Sequence, residues 1–162
     1  MRKTIVLCAL LLGNAFASEN IQQFLAGSQE KMKIICFYTS WCPACRNSID
    51  TLNEVHTKFG DKVEILGVNL DDGVKRKVFV EPSSVKFKTV RSALAQVQIY
   101  GVKDSVPVII VLNDQQAVIK RFYETPNRAY FLKLIGRLSS GYLENGTLPI
   151  EKRVDLWKNK RE

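Results

Sequence analysis

The sequence predicts an α/β fold built on a mixed sheet. Compact apolar runs rich in β-forming residues lie at 33–38, 63–70 and 106–112. Segments with helical apolar spacing alternate with them at 42–59 and 90–100. A turn at 113–116 then leads to a fourth strand at 117–123, antiparallel to the third, and to a closing helix at 127–140. Strands joined through helices pair in parallel and a hairpin adds an antiparallel partner, so the sheet is mixed. The 162 residues favour one such domain. With 46% hydrophobic and 25% charged residues, 9 Gly and 5 Pro, collagen-like, low-complexity and wholly disordered chains are excluded.

The chain opens with the three-part layout of a secretory signal. Arg2 and Lys3 precede an apolar run at 4–12 in which only Thr4 is polar, and Ala15-Phe16-Ala17 places small residues where a signal peptidase reads. The run is far shorter than the ~20 residues of a membrane span, so a retained anchor is the lesser reading. The expected organisation is a signal peptide at 1–17, a single domain at 18–140 and a basic C-terminal tail at 141–162. Cleavage after Ala17 removes Cys8 and the charges of Arg2 and Lys3, taking the formal charge from +8 to +6. It delivers Cys36, Cys42 and Cys45 to an oxidising compartment, a periplasm in a Gram-negative host.

Each element has its own warrant. Residues 19–29 form a short amphipathic helix with Ile21, Phe24 and Leu25 on one face. In the helix at 42–59, Ile49, Leu52, Val55 and Phe59 recur at helical spacing until Gly60 stops it. The stretch at 71–89 is basic, interrupted by Pro82, and shows no clear helix or strand. The helix at 90–100 ends at Gly101, and the closing helix starts behind Pro126.

The chemistry concentrates in Trp41-Cys42-Pro43-Ala44-Cys45. Two cysteines three apart at a helix start close a small disulfide with little backbone motion. With Cys42 at the helix N-terminus, free N–H groups and the helix dipole stabilise its thiolate and lower its pKa from ~8.5. Cys45, one turn further in, resolves the mixed disulfide that Cys42 forms, and Pro43 occupies a first-turn position where its missing N–H costs nothing. Zinc needs about four ligands, and beyond this pair only Cys36 and the lone His56 remain. Covalent haem attachment needs His at 46, which is Arg. No metal and no organic cofactor is called for.

The strand KIICFYTS running into WCPAC and a helix resembles the thioredoxin superfamily. So does Tyr100-Gly101-Val102 followed by Ser105-Val106-Pro107 and an apolar strand. The resemblance spans about 34–138 and implies a thioredoxin fold in which Pro107 is cis and faces the cysteines, with Val106 presenting its backbone to a bound substrate strand. The 65 residues from Cys42 to Pro107 leave an insertion around 72–89, before the cis-proline segment. In this, in its signal, in its Trp-Cys-Pro opening and in VEILGVNLDD, the chain is similar to the exported TlpA/ResA-type reductases. That likeness implies reduction of disulfides in exported proteins, fed by a membrane thiol donor.

Several positions depart from the pattern or invite other readings. Thioredoxin keeps a buried carboxylate where this chain has Cys36, and the cytochrome-maturation reductases often carry Glu where it has Ser48. Asp50 lies a turn later and faces solvent. Cys36, in a buried strand, reads as a small inert hydrophobe rather than a third redox thiol. His56 reads as a helix-surface residue, and Trp41 as a shield for the disulfide. The clusters at 75–77 and 152–161 lack interleaved aromatics, so a solvated face is expected rather than nucleic-acid binding.

The expected function is therefore a periplasmic thiol–disulfide oxidoreductase, leaning to reduction. Its partners are exported proteins carrying a disulfide or dithiol, and a membrane thiol donor or acceptor. It makes no stable membrane insertion once the signal is removed. An oxidase or isomerase would use the same cysteines. From other classes, a non-catalytic binding module of the same fold and a soft-metal chaperone through Cys42 and Cys45 are the rivals.

Overall fold

The structure, a computed structural model, describes residues 16–27, 30–103 and 105–140. Residues 1–15, which hold most of the expected signal, and the tail at 141–162 lie outside the described residues.

The chain order is α1 (Phe16–Ala26), β1 (Met32–Tyr38), α2 (Pro43–Phe59), β2 (Val63–Asn69), β3 (Lys88–Arg91), α3 (Leu94–Val97), β4 (Val108–Leu112), β5 (Val118–Phe122) and α4 (Arg128–Ser139). The five strands form one sheet in the order β3-β2-β1-β4-β5. β1 runs parallel to β2 and antiparallel to β4; β2–β3 is parallel and β4–β5 antiparallel. The α/β class and the mixed sheet stand as expected.

Strand β1 lies at the centre and all seven of its residues are buried, the signature of a strand covered on both faces. Its alternate residues divide the interior in two. Ile34, Cys36 and Tyr38 join Ile49, Leu52 and Val55 of α2 and Phe131 and Ile135 of α4. Ile35 and Phe37 join Ile21 and Phe24 of α1 and Val97 of α3 on the other face. Gly67 in β2 is needed for close approach: a Cβ there would stand 3.1 Å from both Tyr38 and Thr89 and 3.2 Å from Phe87. Asn127 caps α4, its Oδ1 accepting from the Tyr130 amide at 3.1 Å.

Three expectations are corrected. The helix at 90–100 is reduced to α3 and a 3₁₀ turn, Gln98–Tyr100. Val90 and Arg91 instead pair with Val68 and Asn69 as the edge strand β3, because β2 had an open edge and a β-branched residue fits it. The third strand begins at Val108 rather than 106, since Pro107 has no N–H to give to the ladder. The first helix starts and ends earlier than 19–29, closing at Ala26 before Gly27.

Among the described residues one cation is wholly interior. Lys33, on β1, is 0% exposed and its Nζ donates to the Leu25 carbonyl at 2.6 Å, at the C-terminal end of α1, 5.7 Å from the Phe24 ring centre. A cation there satisfies a helix-end carbonyl and meets the negative end of the helix dipole. Lys33→Ala is expected to lower unfolding stability by about 2 kcal/mol, the usual worth of a hydrogen bond to a charged group. A urea melt showing an unshifted midpoint would disprove the contribution.

Candidate active site

The antiparallel register of β1 with β4 sets Phe37 opposite Val108. The residues that follow β1 and those that precede β4 therefore emerge side by side. The first group leads through Thr39-Ser40-Trp41 to Cys42, the second ends in Val106-Pro107, whose peptide bond is cis. Cys42 is the N-cap of α2 and Pro43 its first residue.

Cys42 and Cys45 form a disulfide with a Cα–Cα distance of 5.2 Å. The Cys45 amide donates to Cys42 Sγ at 3.1 Å, so the capping group of α2 is a sulfur atom. Cys42 Sγ lies 3.6 Å from the Val106 carbonyl oxygen. Pro43 is exposed, Val106 half-buried and Pro107 buried. Cys42 keeps 6% of its surface in contact with solvent and Cys45 none. The six sequence-predicted residues thus converge, with the N-proximal sulfur outermost and nearest to a hydrogen-bond donor.

Trp41 packs against the same core cluster as the two cysteines. Its outer face is covered: the Arg76 guanidinium carbon lies 4.6 Å from the ring centre. Asp72 fixes Arg76 in turn, its two oxygens accepting from Nη1 at 2.5 Å and Nη2 at 2.8 Å. Those bonds and the Val74 amide hold the Asp72 carboxyl well below its ordinary value of 3.8, at about 2.

The stretch after β2 is tied to the cysteine loop by its backbone. The Ser40 carbonyl accepts from the Phe79 amide at 2.8 Å and the Val80 amide at 2.9 Å. The Ser40 amide donates to Asp71 Oδ1 at 2.8 Å, and Arg46 Nη1 donates to the Phe79 carbonyl at 3.1 Å. From the other side, Thr125 Oγ1 donates to the Ala44 carbonyl at 2.8 Å and accepts from Ser48 Oγ at 2.9 Å. The sequence does not single out Asp71 and Thr125, and marks Arg76 only as part of the solvated cluster at 75–77, because their contacts with the cysteine loop span more than thirty residues. The Asp71-Asp72 pair directly after an apolar strand was the nearest available signal.

The remaining candidates lie elsewhere in chemistry. Cys36 is free and fully buried, and loss of water pushes its thiol up to about 12. His56 stands edge-on to Phe87, with ring centres 6.5 Å apart. Eleven residues along the helix from Cys45, it is about 16 Å away. Asp50 is exposed and paired with Arg46 at 3.3 Å. Ser48 is buried and spent on Thr125.

Two outcomes follow. In a Cys8→Ala chain with the Cys42–Cys45 bridge intact, Cys36 should resist iodoacetamide at pH 8.5 and react only on unfolding; labelling of the native chain, read by mass, would disprove its inertness. The Asp72–Arg76 clamp should be complete above pH 3.8 and lost as pH falls toward about 2, since its folded carboxyl pKa is depressed. In a Trp157→Phe background, Trp41 fluorescence should change across that window, and Asp72→Asn should show the altered signal already at pH 7. A pH-independent signal in both proteins would contradict the clamp.

Comparison with known proteins agrees with this geometry. A DsbF homologue from Corynebacterium diphtheriae is 28% identical with a TM-score of 0.59, the match covering 70% of this chain and 76% of that one. A secreted Mycobacterium tuberculosis disulfide oxidoreductase homologous to E. coli DsbE is 17% identical, with TM-score 0.56 and coverage of 70% and 86%. A thiol:disulfide interchange protein from Bacteroides sp. is 17% identical, with TM-score 0.57 and coverage of 72% and 78%. These last two share the fold. Thioredoxin-T of Drosophila melanogaster is 32% identical over 54 residues, a match spanning only 34% of its length and 33% of this chain. The sequence pattern of the AhpC/TSA family matches residues 15–132, well over half of the chain, and the protein belongs to that thioredoxin-like family.

Proposed function

We propose that the protein is an exported thiol–disulfide oxidoreductase that reduces disulfides of other exported proteins through Cys42 and Cys45. The observation that carries this reading is the setting of Cys42 Sγ. It caps α2, 3.1 Å from the Cys45 amide, and lies opposite the Val106 carbonyl at 3.6 Å. A thiolate there is stabilised by an oriented N–H and by the helix dipole, which lowers its pKa and makes it the attacking group at neutral pH.

In the reduced protein the Cys42 thiolate attacks one sulfur of a substrate disulfide. The other substrate sulfur leaves as a thiolate and takes up a proton. Cys45, having given up its proton, then attacks Cys42 Sγ and expels the second substrate sulfur as a thiolate, which takes up a proton in turn. Two electrons have passed to the substrate, and the Cys42–Cys45 bridge remains until a dithiol donor reduces it. Val106 and Pro107 line the substrate chain beside the sulfur, Trp41 shields the pair, and Pro43 shapes the first turn of α2.

Export rests on the 1–17 segment and on the kind of relatives the chain matches, one of them a secreted disulfide oxidoreductase. Among the described residues no helix is long and apolar enough to cross a membrane. Reduction as the direction rests on the TlpA/ResA-like layout around the insertion, and a membrane thiol donor would regenerate the pair.

The reduction potential of the pair, measured in graded thiol buffers on a Cys8→Ala chain, tests this. A value near ~−270 mV is expected for a reductase, whereas one near ~−120 mV would make the protein a disulfide-forming oxidase. A pair that does not equilibrate with thiols would overturn the enzymatic reading. Cys42→Ser should reduce exchange to the uncatalysed rate.

A further inference from the structure

We propose that residues 74–78 form the substrate-docking ledge of the active site. It receives an acidic polypeptide stretch, punctuated by apolar residues, beside the target cysteine. The inference rests on the exchange reading above and names the class of polypeptide that reading leaves open.

The ledge is held directly against the reactive loop. Arg76 at its centre stacks on Trp41, the residue before Cys42, and Asp72 locks Arg76 in that position. Just beyond the ledge, Phe79 and Val80 bond to the Ser40 carbonyl, and Arg46 of the active-site helix reaches back to the Phe79 carbonyl. Val80, only 1% exposed, anchors the end of the stretch in the core. Backbone with no helix or strand partner of its own is thus fixed at both ends and in the middle, so little ordering remains to be done when a partner arrives.

What the ledge displays is unusual for a loop. Val74 is 59% and Val78 45% exposed. Between them stand Lys75 and Lys77, both exposed and, among the described residues, without a carboxylate partner. Lys77 Nζ is instead 5.2 Å from the Phe79 ring centre. Arg76 is neutralised by Asp72, and Arg46 by Asp50, which leaves Lys75 and Lys77 as the cations of the 74–78 stretch with no carboxylate partner among the described residues. Apolar area flanking unpaired cations is complementary to a peptide carrying Glu or Asp with Val or Leu near its cysteine. Such charges steer encounter and favour matching partners. A disulfide without an attached chain would leave the ledge unused.

The test compares two peptides, identical except that their disulfide is flanked by Glu-Val or by Lys-Val. The enzyme is the reduced full chain carrying Cys8→Ala. Exchange with hydroxyethyl disulfide is measured first: if it fails, the exchange reading falls and takes this proposal with it. Given exchange, kcat/KM for the Glu-Val peptide should exceed that for the Lys-Val peptide by about tenfold, mostly through KM. The preference should shrink at 0.5 M salt and reverse in a Lys75→Glu/Lys77→Glu chain. Should that variant not fold, Lys75→Gln/Lys77→Gln should abolish the preference. Equal kcat/KM for the two peptides, or a preference that survives both salt and substitution, overturns the ledge while leaving the exchange reading intact. Binding to anionic phospholipid vesicles without peptide preference would replace the polypeptide by a membrane surface and equally overturn it.

Discussion

The antiparallel pairing of β1 with β4 is the constraint on which the site depends. Because the two strands run in opposite directions, the end of one and the beginning of the other emerge at the same edge of the sheet, with Phe37 set against Val108. Cys42 and Val106, 64 positions apart, are brought by that register to 3.6 Å between Sγ and the carbonyl oxygen. A slip of one residue would turn every side chain of the shifted strand to the opposite face. The burial of all of β1 and β4 forbids this, since each face has its own apolar complement. Core packing and sulfur placement are one specification.

Around that edge the chain builds a collar rather than a bare cleft. The segment after β2 is attached to Ser40 through amides and through Asp71, while the segment before α4 is attached to Ala44 through Thr125. Two side chains then close the collar over Trp41 and across to α4: Arg76, oriented by Asp72, and Arg128, whose guanidinium meets Glu54 at 2.6 Å. Glu54 also accepts Lys58 at 2.7 Å, and these partners hold its carboxyl below the usual carboxylate range, Lys58 first. Exposed pairs of this kind add little stability singly. Their value here is positional: Asp72–Arg76 fixes a stretch with no strand or helix of its own, and Arg128–Glu54 ties α4 to α2.

What the sequence made legible was local. The run KIICFY announced a buried strand, the spacing of Ile49, Leu52 and Val55 announced α2, and the cysteine pair with its proline announced a helix N-terminus. Pro107 was legible only through resemblance, because nothing in its neighbours marks it as facing a sulfur. The helix expected at 90–100 failed for a physical reason: Ala, Leu and Gln favour a helix, but Val90 and Arg91 met the open edge of β2, and tertiary pairing outweighed propensity. The contacts of Asp71, Arg76 and Thr125 span from 31 to 81 residues and leave no periodic trace. The same holds for Lys33, which sits in an apolar run and looks like an interruption until α1 supplies its carbonyl.

Three cysteines share one apolar cluster, yet their chemistry is divided by position rather than by residue type. Cys36 is enclosed by β2 and β4, opposite Gly67 and Ile109, with no solvent and no partner charge to favour a thiolate. Cys45 is equally enclosed, and its backbone amide is spent on the other sulfur. Cys42 alone combines a donor, a helix terminus and a path to water. In the exchange proposed above, an incoming disulfide meets Cys42 first, because Cys45 is closed to solvent. The order proposed for the exchange rests on this division: the outer sulfur caps α2, and the sulfur it bridges to is the fully buried one.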